Sequence, residues 1–146
     1  MVGVVHRRQV IAATLAAVAA GTTDGAYLAA IRAQGAVPPE TGVVPFVTGY
    51  IAAIAAATLI GLWFVLRGRP TIARTVFLAA AAGSGALGFL AIFSIGIALV
   101  VTAVLLLLAA QGITTAGRPM AWLWPLSGAL FAVVVLIVGF FAVGTF

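Results

Sequence analysis

Cysteine and lysine are absent from the 146 residues, and histidine occurs once, as His6. The lack of cysteine removes disulfides, iron–sulfur clusters, zinc–thiolate sites and thiol nucleophiles. A lone histidine outside every apolar run argues against a haem or transition-metal centre held within helices. Charge is also scarce. Charged side chains make up 6% of the chain and hydrophobic ones 65%, with a mean hydropathy of +1.34. A soluble domain carries about a quarter charged residues. So few cannot cover a water-exposed surface, and the composition assigns the chain to a lipid bilayer.

What charge there is carries one sign: seven arginines against Asp24 and Glu40, for a net +5. In a soluble protein that balance would suggest nucleic-acid binding. Here the arginines flank apolar runs and read as topology signals, so no nucleic-acid partner is expected. Arginine without lysine, amid much alanine, valine and glycine, is the usage of a GC-rich genome. A spanning helix takes about 20 apolar residues. Five of them leave only loops and tails, with no room for a soluble catalytic or ligand-binding domain.

The apolar runs predict an all-α membrane protein, a single transmembrane bundle of five helices with short loops, spanning roughly 9–33, 43–66, 73–92, 96–112 and 120–143. The first follows His6-Arg7-Arg8 and contains Ala17-Val18-Ala19, so a cleaved signal peptide competes with an uncleaved first span. The helical pattern continues to Ile31, which favours the uncleaved helix. Pro38, Pro39, Gly35 and Gly42 mark the first loop. Pro45 falls in the first turn of the second helix, where a missing N–H costs nothing. That helix ends at Arg67-Gly68-Arg69-Pro70, and Thr71 is a candidate N-cap for the next.

Ile72–Gln111 as one helix would be about 60 Å long, twice the roughly 30 Å hydrocarbon core. A hairpin broken at Phe93-Ser94-Ile95-Gly96 divides it nearly in half. Gly83-Ser84-Gly85 is a less even break, and one long kinked helix, for four in all, is the alternative. Arginine distribution bears on the count. With the N-terminus cytoplasmic, five spans put Arg7, Arg8, Arg67, Arg69, Arg74 and Arg118 inside and only Arg32 outside. Four spans move Arg118 outside. The positive-inside rule therefore favours five, with the C-terminus outside a bacterial inner membrane. Trp63, Trp122 and Trp124 fall beside these arginines, as interfacial indoles do.

Asp24, in Gly21-Thr22-Thr23-Asp24-Gly25, is the one acid within an apolar run. Counting from Val37 at the loop centre, Asp24 is thirteen residues before and Tyr50 thirteen after. Equal depth makes Tyr50, or else Thr48, a candidate donor to the carboxylate. Three roles are open to Asp24: an ion or proton site, a hydrogen-bonded packing residue, or an interfacial residue near Arg32.

The first helix also carries Thr14, Ala17, Gly21, Asp24 with Gly25, Leu28 and Arg32 along one face. Gly21 and Gly25 form a GxxxG pair. The third helix repeats the pattern with Ala81, Ser84, Gly85 and Gly88. Packing within the bundle is the first reading of both, and an interface with a second copy or a partner is the sharper one. Arg67, Arg69 and Arg74 are placed to meet anionic headgroups, although topology already accounts for them. Thr58, Thr102 and Ser127 can bond to carbonyls one turn back. There is no nucleophile–base pair, acid pair, phosphate loop or dinucleotide motif, so catalysis is the least supported class and no cofactor is expected.

The run Gly88-Phe89-Leu90-Ala91-Ile92-Phe93-Ser94-Ile95-Gly96 and its Leu/Val-rich continuation resemble a hairpin of small, uncharacterised multi-pass membrane proteins of high-GC Gram-positive bacteria. The resemblance covers about a quarter of the chain. It implies the same hairpin break and a bacterial inner membrane, and it brings no activity. The chain does not resemble the small four-helix multidrug exporters, which carry a membrane glutamate in the first helix. Three functions are open: an accessory or assembly subunit against a larger membrane complex, a homo-oligomeric transporter or channel using Asp24, and, least supported, a lipid-directed enzyme.

Overall fold

The computed structural model describes residues 2–33, 43–91, 96–111, 113 and 123–144. These form five helices: α1 (Val2–Ala33), α2 (Val43–Leu66), α3 (Pro70–Leu90), α4 (Gly96–Gln111) and α5 (Leu123–Gly144). Three stretches are long and apolar enough to cross a membrane: Arg7–Ala33, Val44–Leu66 and Pro70–Leu90. Gly96–Gln111 and Leu126–Gly139 are shorter apolar segments. The 16 residues of α4 rise about 24 Å, less than a full hydrocarbon thickness.

The helices α1 to α4 close a four-sided bundle in chain order, with α1 against α2 and α4, and α3 against the same two. α5 lies outside that ring, along α3 and to a lesser extent α2. Among the described residues α3 is therefore the only helix packed heavily on three others. One core cluster joins Ala13, Ala16 and Ala20 of α1 to Ile54, Val65, Phe77 and Leu106. A second joins Ile51, Leu87, Leu99 and Leu136. Alanines of α1, α3 and α4 make up most of the first cluster, which lets the helices pack closely around Phe77, Ile54 and Leu106.

The turn between α2 and α3 is fixed by its backbone. Gly68 has φ +67°. Its N–H donates to the Val65 carbonyl at 3.1 Å, and the Arg69 N–H donates to the Phe64 carbonyl at 2.9 Å. This pair of bonds around a left-handed glycine is the Schellman arrangement, which satisfies the last carbonyls of a helix. Arg69 then occupies the N-cap position of α3 without a side-chain hydrogen bond, and Pro70 takes the first helical position, where a fixed φ and a missing N–H suit the helix start. Thr71 is inside the first turn and is not the expected N-cap.

One other expectation changes. α1 begins at Val2, well before residue 9, because arginine and glutamine are good helix formers and continue the helix past the apolar run. Over 72–111 the structure has two helices: α3 ends at Leu90, and α4 starts at Gly96 and packs back along α3. The Gly96 N–H donates to the Ala91 carbonyl at 2.8 Å. A side chain on Gly96 would run into the Gly88 carbonyl and the backbone of Ala91. Glycine is what permits the reversal at that point.

Candidate functional site

The polar residues singled out in the second half of α1 and the first half of α2 do not form one hydrogen-bonded cluster. Thr23 is buried, and its hydroxyl donates to the Ala19 carbonyl at 2.7 Å. Tyr50 does not serve Asp24. Its hydroxyl donates to the Ala132 carbonyl of α5 at 2.8 Å. A side chain on Gly83 of α3 would come within 2.7 Å of the same hydroxyl. Equal depth in a hairpin fixes height but not direction, and each residue turns about 100° around a helix. Tyr50 turns toward α3 and α5, away from α1.

Asp24 Oδ1 on α1 and Thr48 Oγ1 on α2 are among the enclosed polar atoms without a hydrogen-bond partner, as is Ser84 Oγ on α3. A buried acceptor without a donor is costly and calls for a proton, a cation or a partner's hydrogen bond. The residue as a whole is only half-buried, between buried Thr23 and exposed Gly25. Among the described residues no group of three or more His, Asp or Glu side chains is placed to hold a metal.

The two small-residue stripes have opposite positions. On α3, Ala81, Ser84 and Gly88 are buried, and a side chain on Gly85 would touch Ala103 of α4 at 3.9 Å. This stripe packs within the bundle. On α1, Thr14, Gly21 and Gly25 are exposed, and a side chain on either glycine would meet nothing within 4 Å. The expectation of internal packing is corrected there. The inward face of α1 is Gln9, Ala13, Ala16, Ala20 and Thr23, all buried. Its outward face runs through Ile11, Thr14, Leu15 and Val18 in the first half and through Gly21, Thr22, Gly25, Ala26 and Ala29 in the second, so only the second half is lined by small residues. α1 is also the least apolar of the three membrane-length helices and the least enclosed.

The outward faces of α4 and α5 are built differently. α4 exposes Ile97, Val100, Val101, Val104, Leu107 and Leu108; α5 exposes Leu130, Phe131, Val134, Ile137, Val138 and Phe141. Sequence reasoning also missed three seats for aromatic rings. Fully buried Phe77 lies against Gly61, where a methyl group would come within 2.5 Å of its ring. Tyr50 lies against Gly83, and Phe46 against Gly139. A glycine facing a single aromatic on a neighbouring helix leaves no periodic signal.

At the other end of the bundle, the Arg67 guanidinium lies 4.8 Å from the Trp63 ring centroid. Arg7, Arg8, Arg67 and Arg69 are exposed there, and Arg74 is half-buried on the first turns of α3. Arg118 and Trp122 lie outside the described residues, as does the side chain of Trp124. Thr58 and Thr102 do bond to carbonyls one turn back, at Ile54 and Ala98.

Among the described residues these features define an all-helical bundle with three helices of membrane-crossing length and small residues exposed on α1 (Gly21, Gly25, Ala26, Ala29) and on α2 (Gly49, Ala52, Ala53, Ala56). No known protein family, curated protein or solved structure matches the chain.

Proposed function

We propose that the chain is a multi-pass protein of a bacterial inner membrane, with five spans, N-terminus cytoplasmic and C-terminus outside, and that it serves as an accessory or assembly subunit packing against other membrane helices. The observation that carries this reading is the outward face of α1, with open ground over Gly21 and Gly25. Lipid tails gain nothing from small residues. A neighbouring helix does, because small residues let two backbones approach closely enough for dispersion and Cα–H···O contacts. The aliphatic faces of α4 and α5 suit lipid, and α1 suits protein. No catalytic role accompanies this reading.

The test is the mass and composition of the complex purified from its native membrane in mild detergent. A stoichiometric larger partner that is lost in the Gly21→Leu/Gly25→Leu variant is expected. A protein that purifies alone in both forms contradicts the reading.

A second reading, a homo-oligomeric transporter or channel, is favoured by Asp24 Oδ1 and Thr48 Oγ1, both enclosed and without partners. An intramembrane carboxylate with no donor is a natural proton or cation site. On this reading Asp24→Asn abolishes flux in liposomes and leaves the melting temperature of the purified protein unchanged. A lowered melting temperature with no flux in either form assigns Asp24 to packing instead.

A further inference from the structure

The arginine-rich end of the bundle gathers positive charge, with no acidic side chain among the described residues there. The α2–α3 turn places Arg67 and Arg69 in solvent on either side of Gly68. α3 begins at once with Pro70, has no acidic residue in its first turn, and has no side-chain hydrogen bond capping its start. The free N–H groups of a helix start carry about half a positive charge, and acids are the stabilising neighbours there. Here the neighbours are Arg67, Arg69 and Arg74. Arg7 and Arg8 add to the same end, since they precede Val10 and Ala13, which share a core cluster with Val65 in the last turn of α2. Of the chain's two acids, Asp24 is sixteen residues beyond Arg8, about 24 Å along α1; Glu40 lies outside the described residues.

One of these arginines is held in place. The Arg67 guanidinium stacks over Trp63, which itself meets Phe64 edge to face at 4.9 Å between ring centroids. Stacking restrains the guanidinium while leaving its N–H fork free for a bidentate anion. The surface around it is apolar: Trp63 is 49% exposed, Leu66 65% and Ile72 40%. Cationic donors beside exposed apolar side chains fit an amphiphile better than a free ion.

We propose that the α2–α3 turn binds the phosphate of an anionic phospholipid. Arg67 and Arg69 grip the headgroup, the start of α3 faces it, and Trp63, Leu66 and Ile72 lie along its glycerol and upper acyl region. The proposal rests on the membrane reading above.

The test reconstitutes the full chain in vesicles of phosphatidylcholine with spin-labelled phosphatidylglycerol or spin-labelled phosphatidylcholine, and compares the lipid held at the protein by electron paramagnetic resonance. The wild type should prefer the anionic probe. Arg67→Gln/Arg69→Gln should lose roughly 20-fold of that affinity, while Arg32→Gln, at the opposite end of α1, should keep it. Arg67→Lys should lose part, since it keeps the charge and drops the fork. Equal binding of the two probes by the wild type, or an unchanged preference in the double variant, overturns the headgroup site. Displacement of the anionic lipid by millimolar inorganic phosphate also overturns it, by showing a site for the free ion. A chain that does not float with the vesicles contradicts membrane residence itself, and is distinguished from the other failures by flotation alone.

Discussion

α1 and α3 carry the same signature, small residues every three or four positions, and use it in opposite ways. The α3 stripe is sealed between α2, α4 and α5, with Ser84 fully buried and Gly88 pressed against α4. The α1 stripe faces outward over open ground at Gly21 and Gly25. The difference lies in what else each helix offers. α3 enters the bundle with its small residues together with Phe77 and Leu87, and leaves bulky Ile72, Phe89 and Leu90 outside. α1 is small on two sides. Ala13, Ala16 and Ala20 fill its place in the core and leave the glycine face unused. A small-residue stripe marks where helices can approach closely, and the opposite face decides which helix approaches.

The contrast can be broken most forcefully at Gly88. A side chain there would come within 3.0 Å of the Gly96 carbonyl and 3.1 Å of Val100. Gly88→Val should lower stability by about 1–3 kcal/mol through overpacking, read as a lower melting temperature in detergent. Tyr50→Phe tests how α5 is attached. It deletes the one hydrogen bond to Ala132 and should cost about 0.5–1.5 kcal/mol, with earlier hydrogen exchange confined to α5. Ser84→Ala sharpens the picture of the α3 stripe. The Ser84 hydroxyl is buried without a hydrogen-bond partner, so removing it should leave the melting temperature equal or raise it, within about 1 kcal/mol. The least disruption of the fold is expected at α1. Gly21→Leu/Gly25→Leu should not lower the stability of the isolated chain, since leucine is a better helix former than glycine by about 0.8 kcal/mol at each site, while abolishing association with the partner proposed above.

Much of the architecture is legible in the residues. α2 occupies 43–66 as predicted, since a basic Gly-containing turn and an early proline bound it on both sides. The reversal before Gly96 is legible because one helix of that length is too long for a bilayer and a glycine stands at its middle. The burial of Ala81, Ser84 and Gly88 follows from a helix with one small face. Three things are not legible. The outward turn of Gly21 and Gly25 depends on a choice between two small faces that periodicity cannot make. The Tyr50 bond to Ala132 spans 82 residues and depends on where α5 docks. The seat of Phe77 on Gly61 pairs single residues on neighbouring helices. In each case the deciding information is azimuth between helices, while hydropathy reports chiefly length and depth.

The measurement that tests the account most directly is photo-cross-linking in living cells, with a diazirine amino acid at position 25 on α1 or at position 138 on α5. Both positions are exposed in the isolated chain. If α1 is a protein-docking face, position 25 should give one discrete adduct of protein mass and position 138 only lipid adducts. Lipid adducts alone from both positions would contradict the account.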